Sequence, residues 1–296
     1  MDFYQLSYFI KVAETKSISR AAEELFLTQP AVSKQISALE EELGARLFDR
    51  IGRKVLLTRA GENLYSRADR ILRSVDEAKT AIHDMSSECS GELLIGASDH
   101  ISLHRLPDVL KAYIAAFPKV DLKLRCHRSE TISEMVRNNQ VDLGVITLPA
   151  TARGIITKVI WNDPMSLIFP VNHPLAGISK PELKDLVLFG MILPESRTTT
   201  RTMIDAAFIS KGLTPNVTME VAYIETIKVL VKVGLGISIL PDKAVEHEIK
   251  TGTLMRSKIH DAVFSRDLGV LYLKDKFLSR PATEFLKLLG KNRAVQ

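Results

Sequence analysis

Cysteine is nearly absent: the 296 residues contain two, Cys89 and Cys126, so a disulfide framework is excluded as the organising principle. Long apolar runs are missing too. No stretch approaches the ~18 residues that mark a membrane span, and the first twenty residues carry acidic Asp2 with no continuous apolar segment, so no secretory signal is read there. The compositional bias of disordered chains is also lacking, because 46% apolar and 25% charged residues are ordinary globular values. At roughly 100–200 residues per domain, the length predicts two domains, or three if one is small. The expectation is a soluble, cytoplasmic, multidomain protein that needs no membrane.

A strong charge of one sign is missing from the N-terminal part. The chain as a whole carries +5, yet residues 1–90 hold 13 Lys/Arg against 14 Asp/Glu, and residues 91–296 hold 27 against 21. Net charge therefore does not advertise a nucleic-acid partner at the N-terminus. Any phosphate contacts there have to come from a local patch.

What is present over the first ninety residues is helix after helix. Leu6, Phe9, Ile10 and Ala13 give Tyr4–Glu14 a helical face. Ser17 is a candidate N-cap for a helix over Ile18–Leu25, and Thr28 for a third helix with Pro30 in its first turn, where a missing N–H costs nothing. That helix runs to about Leu43, with Gly44 as its stop. Phe48–Leu57 reads as a short hairpin turning near Gly52. Helix, helix, turn, helix and a basic hairpin make the winged helix-turn-helix pattern. A long helix follows from Thr58 to about Ser87, with Leu64, Ala68, Ile71, Val75, Ala78, Ile82 and Met85 spaced alternately by 4 and 3. This unbroken series predicts a dimerising coiled coil that also spaces two domains.

From Glu92 onward short apolar strands alternate with helices. Leu93–Ala97, Val120–Cys126 and Leu143–Ile146 read as strands, with helices at Leu103–Phe117 and Thr131–Asn138 between them. A second set starts at Met165–Phe169. It continues through Leu188–Leu193, a helix at Thr199–Lys211, Val217–Val221, a helix at Ile224–Val233 and Ile237–Leu240. The strand Leu268–Leu273 and the helix Pro281–Leu289 look like a return to the first lobe. This alternation predicts a largely parallel sheet covered by helices, in two α/β lobes joined by crossing strands, with a ligand cleft at the strand ends.

The stretch SISRAAEELFLTQPAVSKQISALEEELGARLFDR, followed by LTRAGE, closely resembles the DNA-binding signature of the LysR-type transcriptional regulators. GASDHISLHRLP, VDLGVIT, TTTRTMIDAAF and VKVGLGISILP resemble the effector-domain segments of that family, so the similarity covers almost the whole chain. The resemblance implies an α/β protein with an all-α, winged N-terminal domain. Residues 1–58 are the winged helix-turn-helix and 59–89 the linker helix and hinge. Residues 90–296 are a two-lobed, Rossmann-like (periplasmic-binding-protein-like) effector domain, with lobe I at about 90–162 plus 266–296 and lobe II at about 163–265. It further implies a homodimer or homotetramer on an interrupted palindrome of double-stranded DNA, with RNA polymerase a further candidate partner.

On the third helix Val32, Ile36, Leu39 and Leu43 form the buried stripe, which puts Pro30, Lys34 and Ser37 on the opposite face and Ser33 on its flank. Gln29 stands at the helix start, where a helix-turn-helix aims side chains at base edges, and a glutamine can pair bidentately with adenine. By resemblance, DNA contact falls on Thr28, Gln29, Pro30, Ser33 and Lys34, with Arg50, Arg53 and Lys54 as a wing on backbone phosphate. Effector contacts map onto Ser98, Asp99, His100, Ile101, Ser102, Ser129, Thr147, Thr198, Thr199, Thr200 and Ile224, with Glu225 beside it. Several of these hydroxyls lie near predicted helix N-termini, which favour anions. With the positive surplus of this half, they point to a small organic or inorganic anion, although the Asp99 carboxylate opposes it.

Other constellations do not assemble. Ser98, Asp99 and His100 are triad residue types, but consecutive residues cannot bring three side chains into relay geometry. His100 and His104 have i,i+4 spacing without a third ligand, and Gly234-Leu235-Gly236 precedes a strand rather than a helix. No catalytic residue, metal or cofactor is therefore expected beyond the effector. Two other functions fit parts of the pattern: a two-lobed binding protein or enzyme, and an architectural DNA-binding protein without an effector.

Overall fold

The computed structural model describes residues 1–51, 54–83, 89–149, 154–274 and 276–291. The chain forms two compact units, one built on Met1–Glu88 and the other on Cys89–Arg137 and Val141–Gln296. Among the described residues, no helix is long and apolar enough to cross a membrane.

In the first unit, α1 (Phe3–Thr15) starts in a capping box, where Gln5 N donates to Asp2 Oδ1 at 2.8 Å and Asp2 N to Gln5 Oε1 at 3.0 Å. Helix α2 (Ile18–Glu24) is capped by Ser17, whose Oγ accepts from Arg20 N. Helix α3 (Gln29–Leu43) ends on Gly44 in the left-handed region (φ 63°), which a Cβ would disfavour. Strands β1 (Phe48–Ile51) and β2 (Lys54–Leu57) pair antiparallel, and α4 (Arg59–His83) follows. Leu6, Phe9, Val12, Val32, Ile36 and Leu39 fill the core.

The LTRAGE segment has a specific packing task. Thr58 Oγ1 donates to Arg46 O at 2.7 Å and accepts from Gly61 N, while a Cβ on Gly61 would fall 2.1 Å from Leu47 O. Only glycine lets α4 pass this close to the chain entering the wing. Glu40, on α3, accepts from Leu47 N (2.6 Å) and Phe48 N (3.2 Å) and so ties the wing to the third helix.

The second unit opens with β3 (Gly91–Ala97), α5 (Asp99–His104), α6 (Leu106–Ala116), β4 (Val120–Cys126), α7 (Ser129–Arg137) and β5 (Leu143–Thr147). The single helix expected at 103–117 is broken at Arg105, because Pro107 cannot donate a bond back across the joint. Then come β6 (Ile155–Pro170), α8 (Leu183–Leu186), β7 (Met191–Pro194), α9 (Thr199–Ser210), β8 (Val217–Val221), α10 (Ile224–Lys232) and β9 (Ser238–Pro241). Helix α11 (Glu246–Lys250), β10 (Leu254–Ser257), β11 (Phe264–Leu273) and α12 (Arg280–Lys291) complete it.

Among the described residues the main sheet runs β10-β6-β11-β5-β3-β4, with β9 also paired to β6, and β7 and β8 form a separate parallel pair. The expected largely parallel sheet is corrected to a mixed one. β3 is parallel to β4 and β5, whereas β11 runs antiparallel to β5 and β6, and β6 antiparallel to β9 and β10. The long β6 and β11 are the crossing strands, and each contributes to both lobes. Lobe I packs around Tyr113, Trp161 and Phe285, lobe II around Phe169, Phe208 and Phe264. Asp163 and Arg266 stand directly opposite each other where these strands cross.

Candidate functional site

At the start of α3, Thr28, Gln29, Pro30 and Lys34 are exposed and Ser33 is half-buried, while Val32, Ile36 and Leu39 face the core. One helix thus separates a polar, outward beginning from an apolar, inward stripe. Thr28 occupies the N-cap position, but its side chain makes no cap bond, contrary to the capping role expected for it. The preceding turn carries Phe26, 95% exposed, which the sequence reading passed over. The backbones of Arg50 and Lys54 lie on β1 and β2, whereas Gly52 and Arg53 lie outside the described residues.

The long helix departs from the predicted seam. Ala68 is fully buried, and Leu64 packs against the core of the winged unit, so both serve their own domain. Ile71 and Ala78 are exposed and Val75 is half-buried; they border a groove together with Phe3 of α1. The Ile82 side chain and all of Met85 fall outside the described set.

The second unit holds a cavity of about 480 Å³ between its lobes. Lobe I lines it with Ser98, Asp99, His100, Leu103, Arg128, Ser129, Glu130 and Thr147. Lobe II supplies Pro194, Arg197, Thr198, Thr199, Thr200, Ala222, Tyr223, Ile224, Glu225 and Thr226, and Arg266 enters from β11. Of the residues predicted to contact an effector, Ile101 and Ser102 are corrected. Helix α5 turns Ile101 into the lobe I core, opposite to Asp99 and Leu103, and Ser102 Oγ bonds Ser98 O and Cys126 Sγ instead. Thr198 reaches the cavity wall, but its hydroxyl caps α9, accepting from Arg201 N (3.2 Å) and donating to Glu195 O (2.9 Å).

Arg266 is one of several lining residues, with Leu103, Arg128, Arg197 and Tyr223, that the sequence expectations did not name. It is buried; Nε donates to Asp163 Oδ2 at 2.9 Å and Nη1 to Thr200 Oγ1 at 2.7 Å. Arg105 Nη2 donates to the other oxygen, Asp163 Oδ1, at 2.7 Å. Two guanidinium groups thus share one carboxylate, leaving a surplus positive charge at the cavity floor. Burial lowers the Arg266 pKa, opposed by Asp163, but a guanidinium stays protonated at neutral pH. His100 Nε2 and Ser98 Oγ are shut off from solvent and have no hydrogen-bond partner among the described residues. Burial, followed by the nearby Arg266, His104 and Arg105 charges, pushes the His100 pKa well below its usual value, so this ring is neutral.

An ion pair and a hydrogen bond bridge the lobes at the rim. Arg128 Nη1 lies 2.8 Å from Glu195 Oε2, and His104 Nε2 lies 2.7 Å from Glu225 Oε1. Burial pushes the Glu225 carboxyl up, but hydrogen bonds from Lys228 and His104 outweigh it and hold the pKa below the usual range. Among the described residues, no cluster of three His, Cys, Asp or Glu could hold a metal ion.

Comparison with known proteins accounts for both units. Residues 3–62 match the model of the bacterial regulatory helix-turn-helix protein, lysR family, and residues 86–294 match the LysR substrate binding domain. The chain is 33% identical over 287 residues to a "Probable RuBisCO transcriptional regulator" of Cyanophora paradoxa, covering 95% of this chain and 89% of that protein. It is 32% identical over 295 residues to the "Uncharacterized HTH-type transcriptional regulator YwqM" of Bacillus subtilis (strain 168), covering 98% and 99%. Among solved structures it is similar in fold to full-length CbnR in complex with its target DNA, with a TM-score of 0.75 and 23% identity over 99% of this chain and 100% of that one.

Proposed function

The chain belongs to the LysR family of transcriptional regulators, and on that premise we propose that its output is set by a small anion bound between the two lobes. As a member it is a transcriptional regulator with a helix-turn-helix DNA-binding domain and a substrate-binding domain. In our reading Thr28, Gln29, Pro30, Ser33 and Lys34 meet the major groove, and Arg50, Arg53 and Lys54 hold the flanking phosphates. Chains pair through the outward part of α4, so two third helices address an interrupted palindrome. The ligand shifts the assembly because it binds one arrangement better than the other.

The observation that carries the anion reading is the buried pair of guanidinium groups on one carboxylate, with Arg266 lining the cavity that the unpartnered Ser98 also lines. A buried charge surplus of this kind is costly without a counter-charge. A thermal-shift screen of the full chain tests it: organic acids, sulfate and phosphate against amines and neutral sugars. Acids at about 100 times their Kd should stabilise by about 2.7 kcal/mol. Stabilisation by amines or neutral sugars alone would overturn the anion assignment.

A further inference from the structure

The cavity wall is part charged and part apolar, and this mixture narrows the ligand, on the premise that the cleft takes an anion. We infer that the effector is an amphipathic organic acid: an acid head held by Arg266, Thr200 and Ser98, and an apolar aliphatic or aromatic body lying against Leu103 and Tyr223. For the acid head, Arg266 supplies charge, Thr200 retains a hydroxyl proton to donate while its oxygen accepts from Arg266, and Ser98 offers an unused O–H. One acid group fills only a small part of about 480 Å³. The rest of the wall includes Leu103 from lobe I and Tyr223 from lobe II, which are 55% and 54% exposed, with Pro194 and Ile224 beside them. Apolar surface on both walls of a cleft favours a ligand that removes it from water.

Charges of both signs border the rest of the cavity: Asp99, Glu130 and Glu225 alongside Arg197, with Arg128 engaged by Glu195. The acid head is therefore assigned to the buried surplus rather than to this mixed-sign border.

Isothermal titration of the full chain with the straight-chain acids from acetate to octanoate, together with benzoate, succinate, sulfate and phosphate, tests this. Affinity should rise about fourfold per added methylene until the cavity is filled, and benzoate should bind at least tenfold more tightly than acetate or sulfate. Leu103→Ser and Tyr223→Ser should flatten that dependence on chain length. Ser98→Ala, or Arg266→Lys where more drastic changes unfold the lobe, should weaken every acid by a similar factor and leave the dependence intact. Affinity independent of chain length, or sulfate, phosphate or succinate binding more tightly than the longer monoacids, would overturn the amphipathic assignment and leave the anion site standing. Failure of every acid to bind would remove both.

Discussion

His100 brings together a sealed ring nitrogen and a neighbouring guanidinium, and the consequence is a definite pH dependence. Its folded pKa lies well below the unfolded value of 6.5. The unfolded chain therefore takes up the proton first as pH falls: the contribution to stability is complete above about pH 6.5 and declines progressively below it. Unfolding midpoints from pH 7.5 down to 5 should fall more steeply for the natural chain than for His100→Gln; parallel curves would mean that the ring titrates freely. At the other end of the molecule, Gln29→Ala should cost about 1–3 kcal/mol and relax preference at particular base pairs. Arg53→Ala should instead weaken all sequences and lower the salt slope by about one unit. A randomised-site selection that returns the same consensus for Gln29→Ala would refute the base-reading role.

The elements of the winged unit were legible because capping residues, a proline in the first turn and a stop glycine all agree with the hydrophobic period. The α4 series was legible as a helix, but its first two positions, Leu64 and Ala68, are not free to form an interface. A spacing of 4 and 3 marks an apolar face without saying what covers it, and here Leu64 and Ala68 are covered by their own domain. The two halves of that face should therefore respond differently to lysine. Ile71→Lys with Val75→Lys should leave the melting temperature of the winged unit nearly unchanged and weaken pairing, since burying each branched side chain is worth about 1.5–3 kcal/mol. Ala68→Lys should unfold the unit before any change in pairing can be read. Circular dichroism and sedimentation velocity on the same samples separate the two, and equal destabilisation by both would argue against a seam at Ile71. The crossing strands carried a signal that was there to be read. In Phe264-Ser265-Arg266-Asp267-Leu268 the arginine occupies an inward position of an alternating strand, as Asp163 does between Trp161 and Met165. A charge on the buried face of a strand needs a partner, yet only the register could say that these two find each other.

At the scale of the whole molecule, the side chains proposed to read DNA and to bind the effector belong to different compact units, so regulation has to appear as a coupling free energy between them. Such couplings are typically about 1–3 kcal/mol and are reciprocal. If an acid changes operator affinity by some factor, saturating operator DNA must change the affinity for that acid by the same factor. The Arg128–Glu195 ion pair and the His104–Glu225 hydrogen bond tie the lobes together at the cleft rim, and a solvent-exposed ion pair such as the first is screened and weak. Glu195→Gln should accordingly shift acid affinity by less than about tenfold and leave operator affinity without acid unchanged. Ser98→Ala should lose most of the acid response while the acid-free operator affinity stays intact. Fluorescence anisotropy with labelled operator, titrated with and without acid, and calorimetry of the acid, with and without operator, give the two factors independently. Unequal factors would show that acid and DNA do not act on one shared equilibrium, whereas equal factors that vanish together in Ser98→Ala would place that equilibrium under the control of the cleft.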